Sequence, residues 1–112
     1  MKKLILSGFL AAALLVSSLL SPAAHATTVN GLTVQTVSLD GGAGMRLKIL
    51  ASDGNWYYAF MNASGGCAGV GADLVKSWES MAVSAFLSGR HLNLYFDTTC
   101  GSRNLNNLDI TN

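Results

Sequence analysis

The sequence predicts a mainly β domain with a single helix, in the order β-β-β-α-β-β. Three observations predict this fold class: several short segments alternate between apolar and polar residues, glycine-containing turns separate them, and one segment has helical period. Two cysteines lie in the same region, where a disulfide would hold a small domain together.

Residues 1–26 have the pattern of an export signal. Lys2 and Lys3 supply the positive start, an apolar run follows, and residues 24–26 read Ala-His-Ala, the pattern of a cleavage site. We expect the mature protein, residues 27–112, to be one domain of 86 residues located in the periplasm or secreted. No stable membrane anchor is expected, because a spanning helix needs about 20 strongly apolar residues and serine and glycine interrupt this run.

The expected mature chain carries five Lys and Arg residues against six Asp and Glu residues, a net charge of −1. Its basic residues form no patch or stripe, so we expect no nucleic-acid partner. A domain of this size buries only about 60 to 65% of its unfolded surface. Cys67 and Cys100 are expected to pair, closing a loop of 33 positions. The chain-entropy model assigns such a loop about 3 to 4 kcal/mol.

The first half of the mature chain predicts a meander of three strands. Residues 28–39 are rich in Thr and Val and predict the first strand, with Gly31 as the place for a bulge. Residues 45–51 and 56–62 follow as strands two and three, each after a glycine-containing hairpin turn. The second strand has an apolar face of Met45, Leu47, Ile49 and Ala51 and a solvent-exposed face of Arg46 and Lys48.

The second half predicts a helix and two further strands. The helix has Asp73 as its N-cap and ends at Gly89, where a left-handed C-cap belongs. Residues 90–97 alternate as the fourth strand, and residues 105–111 form the fifth. A five-stranded meander with its helix between strands three and four is typical of a small, partly open OB-like barrel. The predicted core stripe of the helix is Leu74, Val75, Trp78, Met81, Ala82, Ala85 and Phe86.

Catalytic and metal-binding motifs are lacking in the expected mature sequence. The run GGCAGVG, residues 65–71, has the wrong spacing for a phosphate loop and no following lysine. His91, the sole mature histidine, lies nine positions before Cys100, which is about 30 Å along a strand and too far to activate a thiol. One histidine and two cysteines do not make a four-ligand zinc site. We therefore expect no enzyme, no catalytic residue, no metal and no cofactor.

Aromatic residues are dense in the third strand. Alternation places Trp56, Tyr58 and Phe60 on one face and Tyr57 on the other, and one of these faces must belong to the core. The other face offers rigid rings that suit sugar stacking or a protein partner, as does Tyr95 on the fourth strand. Core or ordinary surface remains the alternative for each ring. The predicted binding residues are Trp56, Tyr58 and Tyr95.

The segment WESMAVSAFLSGRHLNLYF, residues 78–96, resembles the helix-to-strand segment of receptor-binding B subunits in subtilase-type and pertussis-like toxins. It is similar as well to small exported bacterial proteins with the same strand order. In these proteins a helix ends in a Ser/Thr-Gly pair and an alternating strand follows. The resemblance implies an OB-like fold and, for the toxin relatives, a ring of five subunits that binds glycans. No individual sugar-contacting residue carries over, and the cysteine positions differ from the toxin disulfides.

These observations favour a small exported binding module that recognises a glycan or a protein partner through an aromatic strand face. A homo-oligomer like that of the toxin B subunits is left open. The alternative function is that of a periplasmic inhibitor or chaperone-like factor acting on an envelope enzyme.

Overall fold

A computed structural model describes residues 26–41 and 45–112. The predicted export signal, residues 1–26, lies outside these ranges except for Ala26, so its cleavage stays a prediction. The described elements are the strands β1 (Thr27–Leu32), β2 (Val34–Asp40), β3 (Arg46–Ala51) and β4 (Trp56–Phe60), the helix α1 (Ala72–Ser88), and the strands β5 (His91–Asp97) and β6 (Asn104–Thr111).

The six described strands form one sheet in the order β1-β5-β6-β4-β3-β2. Neighbouring strands are antiparallel except β4 and β6, which run parallel at the pair Tyr58 and Asn104. The edge strands β1 and β2 are joined through a single residue, Thr33, so the sheet is strongly curled, although β1 and β2 do not pair with each other. The prediction of a mainly β fold with one helix is confirmed. The prediction of a five-stranded barrel is wrong, because the sheet has six strands and is not closed.

The extra strand arises because the predicted first strand, residues 28–39, divides at Thr33. The backbone N–H of Thr33 donates to Ser52 Oγ at 3.0 Å, and its carbonyl accepts from the Ser52 N–H at 2.9 Å. These bonds attach the chain to the hairpin between β3 and β4, so it leaves β5 and pairs with β3. The predicted bulge at Gly31 is confirmed by a φ of 71° and a register shift in the pairing with β5.

The core lies between the concave side of the sheet and α1. The helix contributes Val75, Trp78, Ala82 and Ala85, and two of these four are alanines that let the helix approach the sheet closely. The sheet contributes Leu32, Val34, Leu47, Ile49, Ala51, Tyr57, Ala59, Leu92, Leu94, Phe96, Leu105 and Leu108.

The helix departs from its predicted core stripe at two places. Leu74 is 39% and Phe86 49% exposed, because the buried stripe is narrower than predicted and these residues lie at its sides. The helix begins at Ala72 after Gly71, so Asp73 is not the N-cap but lies in the first turn, where its charge favours the helix dipole. The C-cap at Gly89 is confirmed, with a φ of 70°. Across the described residues, α1 included, no helix has the length and apolar content needed to span a bilayer.

The predicted disulfide between Cys67 and Cys100 is confirmed, with a Cα–Cα distance of 4.9 Å. It joins the loop between β4 and α1 to the loop between β5 and β6. Because Cys67 is only 4% exposed, the bond lies under the surface of these loops and fixes their positions relative to each other.

Candidate functional site

The outer side of β4 carries three partly exposed rings, Trp56, Tyr58 and Phe60, which we call the aromatic face. Tyr57 points the opposite way and is fully buried in the core, which answers the question of orientation that the sequence left open. The rings of Tyr58 and Phe60 stack with their centres 6.3 Å apart and an angle of 24° between their planes. Because they project from the middle of the sheet, these rings are held in fixed positions.

Two cations from β3 lie against the aromatic face. Lys48 Nζ is 5.4 Å from the ring centre of Trp56, and Arg46 Cζ is 5.3 Å from that of Tyr58 and 5.9 Å from that of Phe60. The antiparallel register explains these contacts. Lys48 pairs with Tyr58 and has Trp56 as its diagonal neighbour on β4, while Arg46 pairs with Phe60 and has Tyr58 as its diagonal neighbour. Each contact is worth about 0.5 to 1 kcal/mol at an exposed site. The face therefore alternates flat apolar surface with hydrogen-bond donors.

Tyr95, the third predicted binding residue, is not part of the aromatic face. It points outward from β5, and β6 lies between β5 and β4, so it is about 10 Å from Tyr58 in the strand-to-strand direction. Its hydroxyl donates to Asp109 Oδ2 at 3.0 Å, and this bond and the carboxylate charge raise the pKa of Tyr95. The structure thus brings Trp56 and Tyr58 together on one strand and places Tyr95 apart. A role for any of the three in binding stays a prediction.

A cleft of about 210 Å³ opens at the end of the aromatic face, beside Phe60. One wall comes from the facing ends of β2 and β3, where Arg46 Nη2 donates to Asp40 Oδ2 at 2.8 Å. The other wall is the start of the loop after β4. The cleft is lined by Asp40, Met45, Arg46, Phe60, Asn62, Ala63 and Ser64.

A buried tyrosine and an exposed carboxylate meet at the hairpin between β3 and β4. The Tyr57 hydroxyl donates to Asp53 Oδ2 at 2.5 Å, and Arg103 Cζ lies 5.9 Å from the Tyr57 ring centre. Burial, followed by this hydrogen bond, raises the pKa of Tyr57 to about 12. Partial burial acts to raise the pKa of Asp53, but the hydrogen bonds from Tyr57 and Asn55 outweigh it and the pKa is lowered. This pair fixes the hairpin that presents Trp56.

Of the two groups considered for chemistry, Cys100 has a structural use. Cys100 is bonded to Cys67, so its sulfur is not a free thiol. His91 lies on β5 opposite Thr111. In the part of the chain that the structure describes, no three His, Cys, Asp or Glu residues are grouped to hold a metal ion.

The cation–ring contacts and the cleft were not predicted from the sequence. Alternation had placed Arg46 and Lys48 on the solvent-exposed face of the second predicted strand. The hairpin turn after it made this strand a neighbour of the third predicted strand, which carries the aromatic residues. Combining the two signals would have found the cation–ring contacts. The cleft residues Asn62 and Ser64 had no such signal, because their positions depend on the path of an irregular loop.

A second exposed surface lies on α1, away from the aromatic face. Leu87 is 77%, Phe86 49% and Val83 37% exposed. A shallow groove beside them has serine and glutamate at its borders, with Glu79, Ser80, Ser84 and Ser88 among its lining residues. We call Val83, Phe86 and Leu87 the exposed helix surface.

Comparison with known proteins shows a similarity of fold. No protein-family model and no curated protein sequence matches the chain. Among solved structures, the fold is similar to a cholera toxin-like B-subunit from Citrobacter freundii, with a TM-score of 0.58 and 9% sequence identity. The similarity covers 85% of this chain and 95% of that chain. The chain therefore has a toxin B-subunit-like fold, which agrees with the resemblance in residues 78–96 at the level of the fold alone.

Proposed function

We propose that this protein is an exported, non-enzymatic binding module that recognises a glycan through its aromatic face. The observation that carries the proposal is the stack of Tyr58 and Phe60 on a central strand, with Arg46 against both rings and a polar cleft at the end of the stack. Sugars present an apolar C–H face and a rim of hydroxyl groups. A flat ring bordered by fixed hydrogen-bond donors complements both features.

The disulfide and the fold support export and binding. A disulfide persists in the periplasm or outside the cell and is rarely kept in the cytosol. The similar solved structure is named as a toxin-like B-subunit, and the sequence resemblance implies receptor binding for such subunits. Both lines of support are consistent with a protein that acts by binding after it leaves the cytoplasm.

Self-association belongs to the same proposal. The exposed helix surface places three apolar side chains in water, and a second copy of the chain would cover them. Association through the helix leaves the aromatic face open on every copy. Several weak sugar sites in one assembly then bind a glycan-bearing surface far more strongly than one site does.

A glycan array probed with the exported, purified protein tests the proposal. The matched variants are Trp56→Leu and Tyr58→Leu on the aromatic face and Leu74→Ala, which removes an exposed apolar side chain from the helix. We expect wild type and Leu74→Ala to bind the same glycans and the two face variants to lose them, with thermal stability within a few degrees. Absence of glycan binding, or glycan binding that Trp56→Leu and Tyr58→Leu both retain, would contradict the proposal.

A further inference from the structure

The cleft beside Phe60 has the size of a site for one small ring. Its volume of about 210 Å³ is below the roughly 300 to 1,000 Å³ of sites that hold drug-sized ligands. Phe60 gives it an apolar floor, and Met45 adds a flexible apolar side. The Phe60 ring also stacks with that of Tyr58, so the cleft is continuous with the aromatic face.

The ionised groups of the cleft balance each other. Arg46 and Asp40 are the charged side chains among its lining residues, and they form an ion pair at 2.8 Å. Asp40 thereby fixes the guanidinium, whose N–H groups form a planar fork of five donors. A ligand carboxylate that approaches Arg46 also approaches Asp40, whose charge repels it. The cleft thus favours an uncharged ligand over an anionic one.

Asn62 and Ser64 complete the polar border of the cleft. Both are exposed, and they supply an amide and a hydroxyl, groups that donate and accept hydrogen bonds. Arg46 offers donors on the opposite wall. An apolar floor between two hydrogen-bonding walls matches a pyranose ring, which has hydroxyl groups around its edge.

The wall that carries Asn62 and Ser64 is rigidly attached. The backbones of Ser64 and Cys67 exchange two hydrogen bonds, at 3.0 and 2.8 Å, and Cys67 is covalently bound to Cys100. At the start of the wall, the Met61 N–H donates to the Met45 carbonyl at 3.0 Å, which ties the two walls together. The backbone that carries Asn62 and Ser64 is therefore already ordered and loses little entropy when a ligand binds.

We infer that this cleft binds the terminal residue of a glycan whose end is uncharged, as a single neutral pyranose ring that stacks on Phe60. Arg46 donates to its hydroxyl groups from one side, and Asn62 and Ser64 contact it from the other. The inference rests on the proposed function and adds to it the ligand class and the position of the terminal sugar. The rest of the glycan extends along the aromatic face toward Trp56.

Titration with simple sugars, followed by backbone amide NMR shifts, tests the inference. The neutral probes are the methyl glycosides of galactose, glucose, mannose and fucose, and the acidic probes are methyl glucuronide and N-acetylneuraminic acid. We expect at least one neutral glycoside to bind and to shift the amides of Asn62 and Ser64. The acidic probes should bind at least about tenfold more weakly, a difference of about 1.4 kcal/mol.

Variants locate the binding. Phe60→Leu should lower the affinity for the neutral sugar by about tenfold, because a ring contact is lost. Ser64→Ala should lower it by about threefold, because one hydrogen bond is lost. Ser38→Ala on β2, which lies outside the cleft, is the matched control and should bind like wild type. Thermal unfolding verifies each fold, and Ser64→Ala, an exposed position, keeps the test valid if Phe60→Leu does not fold.

Three results would overturn the inference: stronger binding of an acidic probe, unchanged binding by both cleft variants, or no neutral glycoside bound at about 50 mM, far above the range of useful affinities. The failure of this inference differs from failure of the proposed function. If the array detects glycans that depend on Tyr58 while the cleft variants bind normally, the cleft assignment fails and the binding module stands. If the array detects none, both fail.

Discussion

The hydroxyl of Tyr57, a side chain buried in the core, donates a 2.5 Å hydrogen bond to the exposed carboxylate of Asp53. This bond connects the core to the hairpin that positions Trp56. Asp53 is also bonded to the backbone and side chain of Asn55, so one carboxylate organises the whole turn. The stability of the hairpin should therefore depend on the charge of Asp53 at acidic pH and on the charge of Tyr57 at alkaline pH.

The Tyr57 hydroxyl should make stability depend on alkaline pH. Its pKa is about 12 in the fold against 10.0 normally, so the folded state holds its proton more tightly than the unfolded state. The resulting stabilisation is complete below pH 10 and is lost between about pH 10 and 12. Urea unfolding at several pH values should show this loss in wild type and a smaller one in Tyr57→Phe. Equal losses in the two proteins would contradict the assignment.

Asp53 should have the opposite dependence at acidic pH. Its pKa lies below the ordinary value of 3.8, so its contribution is present above that value and is lost as the pH falls through the lower folded value. A double-mutant cycle of Asp53→Asn and Tyr57→Phe at neutral pH should give a coupling of about 1 kcal/mol, which is less than the roughly 1.5 to 3 kcal/mol usual for a bond to a charged group, because Asp53 is exposed. A coupling near zero would show that the bond does not stabilise the hairpin.

The Cys67–Cys100 bond should dominate the stability of the domain. The chain-entropy model assigns a loop of 33 positions about 3 to 4 kcal/mol. Cys67→Ser combined with Cys100→Ser should lower the Tm by more than about 10 °C, because 1 kcal/mol corresponds to about 4 to 8 °C in a domain of this size. Circular dichroism measures the transition, and thiol titration of the exported wild type should find no free thiol before reduction. An unchanged Tm would rule out a stabilising role for the bond.

Gly69 should not tolerate a side chain. A Cβ at this position would lie 2.6 Å from the backbone carbon of Asn62, at the point where the loop after β4 closes on itself. Gly69→Ala must displace that backbone, and we expect it to destabilise by about 1 to 3 kcal/mol, the usual range for overpacking. Gly41→Ala is the control, since no atom of the described residues lies within 4 Å of the position that its Cβ would take. If urea midpoints show equal effects for the two variants, the close approach at Gly69 has no energetic consequence.

The exposed helix surface should govern self-association. Leu87→Gln removes the most exposed of its apolar side chains, and Leu74→Gln is the control at the other end of the helix. Light scattering over a range of concentrations should show an oligomer for wild type and Leu74→Gln. Leu87→Gln should dissociate at higher concentration while its Tm at low concentration is unchanged. A wild-type protein that is monomeric at all concentrations contradicts the proposed assembly.

Much of the fold could be predicted from sequence because its signals are local. The alternation in residues 45–51 correctly assigned the buried face of β3, and Gly89 correctly marked the helix end. Both depend on residues that are neighbours in the chain. The disulfide could be predicted as well, because the sequence has only two cysteines to pair.

The errors came from contacts between distant segments. The division of residues 28–39 depends on hydrogen bonds of the Thr33 backbone with the side chain and backbone of Ser52, 19 positions away, and no local pattern indicates it. The exposure of Phe86 depends on which side of α1 faces the sheet, and the buried residues Val75, Trp78, Ala82 and Ala85 leave Phe86 at the border of that side. The distance between Tyr95 and Tyr58, which the sequence left open, depends on β6 inserting between β5 and β4, a matter of strand order and not of strand pattern.

Acrylamide quenching of tryptophan fluorescence, in the presence of the glycan selected on the array, reports whether the aromatic face is the binding surface. The chain has two tryptophans, and Trp78 is 3% exposed, so the quenchable fluorescence comes from Trp56. If the aromatic face is the binding surface, saturating glycan should lower the quenching constant, while a glycan that the array rejects leaves it unchanged. A glycan that binds the protein and leaves Trp56 as quenchable as before would contradict the assignment of function to this face.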